Sequence, residues 1–196
     1  QTTYGFLQTR DFGANWTWTC EDAAGYGGSF DPPIAFVGDG ALLAGVFDGL
    51  SQSSPDGCEW SFVLEDGFFV DVSQDKQAPA RAIALSSNGL GGNEFRTQVW
   101  RTDDASEWLP FGAQLPDDFL GLTLDAAPSD PNTLYVSGFQ ILSSTEYAGM
   151  LAVSSDAGET WELRPVDGTS NEAGPYIGAI DPNDPETVYV RLSGLE

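Results

Sequence analysis

Residues 154–161 read Ser154-Ser155-Asp156-Ala157-Gly158-Glu159-Thr160-Trp161, a short polar turn that ends on a tryptophan. The same frame recurs near the start as Thr9-Arg10-Asp11-Phe12-Gly13-Ala14-Asn15-Trp16, with Thr for Ser and Asn for Thr. Two degraded copies lie between them. Ser54-Pro55-Asp56-Gly57-Cys58-Glu59-Trp60 is one residue shorter between Asp and Gly. Arg101-Thr102-Asp103-Asp104-Ala105-Ser106-Glu107-Trp108 keeps Asp103 and Trp108 but has Ala105 where Gly is expected. Each part has a structural task. The Asp carboxylate accepts backbone N–H groups within its own turn, and the Ser or Thr hydroxyl adds a local bond. Gly tolerates positive φ at no steric cost. The Trp ring is expected to pack between neighbouring sheets while its N–H finds a partner.

The four tryptophans are 44, 48 and 53 residues apart. A period of roughly 40–50 residues with several short strands per period points to β-propeller blades. The turns resemble the Asp-box, or BNR repeat, of sialidases, sortilin-type receptors and bacterial secreted propellers. That resemblance implies that each box joins the third and fourth strands of a blade. Strands then fall at Tyr4–Thr9 and Trp16–Cys20, and at Ile34–Val37, Ala41–Val46, Leu50–Ser53 and Trp60–Leu64. A third set is Phe69–Ser73, Ala80–Ser86, Gln98–Thr102 and Glu107–Phe111, and a fourth is Gly121–Ala126, Thr133–Phe139, Met150–Ser155 and Trp161–Pro165. Tyr176–Ile180 and Thr187–Leu192 begin another blade. Most of these runs are β-branched or aromatic and bounded by Gly, Pro, Asn and Asp, and none has helical periodicity. Two Pro-acid turns, at 127–136 and 180–190, echo one another as the first-to-second-strand turn.

The expected fold is therefore all-β, a propeller of four-stranded antiparallel blades with Asp-box hairpins. Its portions fall at about 1–20, 21–65, 66–112, 113–167 and 168–196. The chain opens on strands three and four and closes on strands one and two. Either these halves close a four-bladed ring, or the chain is part of a larger propeller. The resemblance favours the larger propeller, because Asp-box propellers generally have more than four blades.

Seven Lys and Arg face 30 Asp and Glu, a net charge of −23. That field repels phosphate backbones and anionic lipid, so nucleic acid is excluded as a partner and so is simple membrane adsorption. No apolar run approaches the ~20 residues of a membrane span, and Gln1 opens directly into folded-looking sequence without a signal peptide. With no histidine and no CxxC pair, a zinc site is not expected. Cys20 and Cys58, alone in an acidic, export-like composition, are expected to form a disulfide, the alternative being two buried free thiols. No cofactor is implied. Calcium is the one ion the acidic loops would suit, although no D-x-D-x-D-G loop is present.

Strand direction places the box turns and first-to-second-strand turns on one face. The other face collects the long segments 21–33, 88–96, 114–120, 140–147 and 167–175. Loops on a rigid scaffold carry binding residues, so this long-loop face, with Tyr26, Phe30, Phe95, Phe119, Tyr147 and Tyr176, is the candidate surface. The alternative is that these aromatics plug the loops against the blades.

A sialidase resemblance would imply an arginine triad, a Tyr–Glu nucleophile and an acidic donor. Only six arginines exist; Arg10 lies inside a box, Arg101 and Arg164 flank boxes, and the family's N-terminal arginine motif is absent. No carboxylate pair stands out for glycoside hydrolysis: Asp117–Asp118, Asp103–Asp104 and Asp71 with Asp75 read as solvated turns. The expectation is a non-catalytic propeller, secreted, periplasmic or at the cell surface, that recognises a protein or a glycan. The alternatives are a glycoside hydrolase and a structural subunit that self-associates by sharing blades. The box residues Thr9, Asp11, Gly13, Trp16, Ser54, Asp56, Gly57, Trp60, Asp103, Trp108, Ser154, Asp156, Gly158, Thr160 and Trp161 are assigned structural roles.

Overall fold

The computed structural model describes residues 5–28 and 30–193; Tyr4, expected to begin the first strand, lies outside them. Strands β1 (Phe6–Gln8) and β2 (Thr17–Thr19) form a two-stranded sheet. Three four-stranded sheets follow. They are β3 (Ile34–Val37) to β6 (Trp60–Leu64), β7 (Phe69–Gln74) to β10 (Leu109–Pro110), and β11 (Phe119–Ala127) to β14 (Glu162–Pro165). Within them run β4 (Ala41–Val46), β5 (Gly49–Ser53), β8 (Ala82–Gly91), β9 (Glu94–Thr102), β12 (Asp130–Ser143) and β13 (Glu146–Ser154). β15 (Pro175–Ile180) and β16 (Val188–Leu192) form a second two-stranded sheet. Every pairing is antiparallel and sequential, the order of propeller blades. The two half-sheets stand apart as separate sheets, so the described residues do not close a four-bladed ring.

The core lies between sheets, which is why the inner strands are apolar on both faces. On β8, Ala82 and Ala84 pack toward the second sheet with Val37, Leu43, Leu50, Phe69 and Trp108. Ile83 and Leu85, on the opposite face, pack toward the fourth with Phe119, Leu134 and Val136. Phe69, Phe119, Leu43 and Leu85 are completely buried. Removing each such side chain from water contributes on the order of 1.5–3 kcal/mol.

All four boxes are carboxylate-centred turns. Asp156 accepts the Thr160 N–H (3.0 Å) and the Ser154 and Thr160 hydroxyls (both 2.7 Å). Asp11 accepts the Asn15 N–H at 2.8 Å and the Thr9 hydroxyl at 3.0 Å. Asp56 accepts the Ser54 hydroxyl and the Cys58 N–H. In the third copy the turn carboxylate is Asp104, not Asp103: it accepts the Ser106 and Glu107 N–H groups at 2.9 and 3.0 Å. Asp103 instead takes the guanidinium groups of Arg81 and Arg101. The second and third copies share one shortened frame, in which Gly57 and Ala105 both follow the Asp with positive φ (79° and 64°). Phe12 and Ala157 occupy that place in the long copies (56° and 62°), followed by a second left-handed residue, Gly13 or Gly158. Only that second position strictly favours glycine here.

Two other expectations change. Segments 88–96 and 140–147 are not irregular loops but the extended ends of the β8–β9 and β12–β13 hairpins. Cys20 and Cys58 are free thiols. Cys20 follows the end of β2 on the long-loop side and Cys58 sits in a box turn on the other, so the fold places them at opposite faces.

Candidate functional site

The six aromatics assigned to the long-loop face divide into two groups. Tyr26 and Phe119 are buried: Tyr26 packs edge-on against Phe6 at 5.7 Å, and Phe119 is enclosed between the third and fourth sheets. For these two the plugging alternative is the observed one. Phe30, Phe95, Tyr147 and Tyr176 keep part of their surface. Tyr147 meets Phe139 at 6.1 Å, and the guanidinium of Arg191 lies 4.8 Å over the Tyr176 ring.

The most developed feature of this face involves two residues that sequence reasoning missed. Phe47, at the β4–β5 hairpin tip, stacks on Phe68, in the β6–β7 crossover, with centroids 4.7 Å apart and planes 21° from parallel. Phe30 closes the group at 4.6 Å from Phe47 and 5.7 Å from Phe68, and Tyr26 backs Phe30 from inside. Phe47 remains 55% exposed. The Asn88 side chain holds the shelf in place: its oxygen accepts the Phe68 N–H at 2.7 Å and its amide donates to the Asp66 carbonyl at 3.0 Å. Arg96 then pairs with the Asp66 carboxylate at 2.7 Å. Sequence signals existed. Asp48-Gly49 marks a tight hairpin tip, so the preceding Phe47 sits on a turn rather than in a core. Phe68-Phe69 opens a strand, whose alternation sends one ring inward and the other outward. The tips of the next two hairpins each present an exposed leucine, Leu90 (59%) and Leu142 (54%), so each complete sheet offers one large apolar tip on this face.

A concavity of about 790 Å³ lies instead on the box-turn face, between the third and fourth sheets and reaching β3. Lys76, Arg81, Arg101 and Asp125 are among its lining residues. Arg81 is neutralised by Asp75 and Asp103 at 3.1 Å, and Arg101 also pairs with Asp103 while lying 4.7 Å over the Phe111 ring. Asp125, on β11, accepts the Ser73 hydroxyl at 3.0 Å and the Ala126 N–H at 2.9 Å, and burial raises its pKa.

Asp71, expected in a solvated turn, sits within β7 against the fourth sheet. One oxygen accepts the Val72 N–H at 2.9 Å and the other the Leu124 N–H at 2.8 Å. Burial pushes its carboxyl up to about 7, against the pull of those two N–H groups. It is a staple between sheets. Thr123 takes the corresponding position after the β11 bulge, and its hydroxyl accepts the Ile177 N–H of the next sheet at 3.0 Å. The box carboxylates shift the other way. The Thr160 hydroxyl and N–H hold Asp156 at about 2, and the Glu107 and Ser106 N–H groups do the same for Asp104. Among the described residues no three carboxylates or thiols converge on a metal position. No described helix is long and apolar enough to cross a membrane.

No family model matches the chain. No curated protein matches it either. Solved structures do share its fold. A GH74 xyloglucanase from Xanthomonas campestris superposes with a TM-score of 0.65 at 18% identity, covering 96% of this chain and 32% of its own. A GH74 enzyme from Niastella koreensis gives 0.60 at 17% identity, covering 86% and 27%. A protein of unknown function from Dyadobacter fermentans gives 0.55 at 14%, covering 87% and 60%. The chain thus spans about a quarter to a third of the length of those two glycoside hydrolases. At these identities the likeness defines the class of protein, an all-β chain of propeller-like four-stranded sheets.

Proposed function

We propose that this chain is a non-catalytic, extracellular glycan-binding propeller unit of the Asp-box type, which grips an extended polysaccharide across its long-loop face. The observation that carries the reading is the solvent-facing Phe47–Phe68 stack backed by Phe30. A flat aromatic pair held by Asn88 offers a rigid platform for the apolar face of a pyranose, with little side-chain entropy left to lose. The partly exposed Tyr147 and Tyr176 further round the same face suit a ligand longer than one sugar. The glycan-acting names of the structural neighbours agree with this class of ligand. The acidic surface disfavours polyanionic chains, so a neutral polysaccharide fits best.

The non-catalytic part of the reading is supported by the carboxylates themselves. Asp71 has the pKa of a general acid, but main-chain N–H groups engage both of its oxygens and it does not line the groove. Native affinity electrophoresis in gels containing soluble xyloglucan tests the proposal. The chain should be retarded, and Phe47→Ala should weaken binding roughly tenfold, about 1.4 kcal/mol. Unchanged mobility, or full retardation of Phe47→Ala, would overturn the shelf. Release of reducing ends from the same polysaccharide would overturn the non-catalytic reading.

A further inference from the structure

We propose that the groove on the box-turn face is a binding site separate from the shelf, which takes a short extended segment of a partner protein bearing alternate acidic side chains and one apolar residue. The groove lies between two complete sheets, on the face opposite the Phe47–Phe68 pair. Of the seven Lys and Arg in the chain, three line this one concavity: Lys76, Arg81 and Arg101. Two carboxylates, Asp75 and Asp125, line it with them, which leaves four cations against 28 acids in the rest of the chain. Cations outnumber acids here, in a molecule whose overall field has the opposite sign.

The blade repeat does not call for these cations. The residue before the box hydroxyl is Arg101 in the third sheet, but Ser53 and Val153 in the sheets on either side. Ala82 pairs with Thr102 as Leu134 pairs with Ser154, yet Arg81 precedes the one and Thr133 the other. The β7–β8 turn, residues 75–81, is also longer than the turns at 38–40 and 128–129. Features that build the blades recur from sheet to sheet, and these do not.

The cations are held in place with donors to spare. Asp75 accepts the Gln77 N–H at 2.8 Å and pairs with Arg81 at 3.1 Å, which fixes the long turn from inside. Arg81 donates through Nε to Asp103 and through one Nη to Asp75, and Arg101 through Nε and one Nη to Asp103. A guanidinium carries five N–H donors, so each keeps an Nη group for a ligand. Among the described residues no acid pairs directly with the Lys76 ammonium. Sheet order sets their sequence along the groove: Lys76 in the β7–β8 turn, Arg81 at the start of β8, Arg101 on β9 and Phe111 just beyond β10. With strands about 4.8 Å apart the row spans roughly 14 Å, the length of about four extended residues. Acids at alternate positions would meet Lys76 and the arginines. An apolar residue would reach the outer end, where Phe111 and the 56% exposed Leu109 line a continuing hollow. The walls favour a peptide over a sugar. Ile83, Leu134 and Pro131 are not aromatic, and Phe111 already carries the Arg101 guanidinium over its ring at 4.7 Å.

Fluorescence anisotropy of a dye-labelled, end-blocked peptide of about five residues, with alternate acids and a terminal leucine, is the test. Saturable binding is expected, and the same peptide with glutamines for the acids should bind roughly tenfold more weakly. Lys76→Gln and Arg101→Gln should each weaken the acidic peptide to a similar degree. Arg164→Gln, which removes a charge outside the groove, should not. Lys76 is exposed, so Lys76→Glu should fold and should prefer a peptide with lysines for the acids, an exchange that unfolding cannot produce. No saturable binding, equal binding of the glutamine peptide, or indifference to Lys76→Glu would overturn the proposal. So would binding of a galacturonate tetramer but not of the peptide, which would make the groove a site for acidic sugars.

Discussion

The hairpins at 9–16 and 154–161 have nearly the same turn and very different surroundings. In both, an Asp gathers the same donors, a left-handed residue follows it, and a left-handed glycine comes next. Yet the Trp161 N–H reaches the Ala113 carbonyl of the preceding crossover at 3.0 Å, while Trp16 bonds back to its own turn and stays largely in solvent. Gly158 lies against the main chain of Phe111 and Gly112, whereas Gly13 meets only the Trp16 ring. The turn is coded locally by hydrogen bonds. The tryptophan's energetic worth is not, because it depends on whether a sheet stands on its far side.

The largest effect that sharpens this comparison is on the rings. Trp108, 6% exposed between the second and third sheets, should cost roughly 3–5 kcal/mol when cut to alanine, and Trp16→Ala less than about 1. Urea midpoints measure both. Equal losses would mean that the box tryptophan acts within its own turn. A smaller, pH-dependent effect treats the two turns alike. Asp11 is held below its ordinary value chiefly by the Asn15 N–H, and Asp156 is held at about 2. Depressed in the fold, both contribute stability that is present above pH 3.8 and lost as pH falls below it, for Asp156 toward about 2. Asp71 acts with the opposite sign: raised from 3.8 to about 7, it favours the fold fully at low pH and less as pH rises between those values. Asp71→Thr, copying Thr123, should flatten that upper limb in a urea-against-pH series. The smallest effect is at the left-handed position itself. Phe12→Gly and Ala157→Gly should each stabilise by about 0.5–1 kcal/mol, through relief of the same backbone strain despite different packing. Thermal melts giving opposite signs would break the equivalence of the two turns.

The sheets were legible because box and Pro-acid turns mark strand ends with local chemistry. Asp103 was mistaken for Asp104 because the frame was set by Asp and Trp, while the hydroxyl that fixes it, Thr102, stands two residues before the true carboxylate. Phe47 and Phe68 went unread because stacking across a hairpin tip and a crossover is a tertiary fact, as is the burial of Asp71 beneath the fourth sheet. The disulfide expectation rested on composition, which says nothing about which face a cysteine occupies.

The groove on the box-turn face carries one more consequence, in the practical terms of surface chemistry. Lys76, on its rim, is the only lysine in the sequence. Apart from the α-amino group, amine-directed coupling therefore has one address, and it lies opposite the Phe47–Phe68 shelf. A sensor surface or bead coupled through Lys76 would present every molecule in one orientation, with the Phe47–Phe68 shelf outward and the groove against the support.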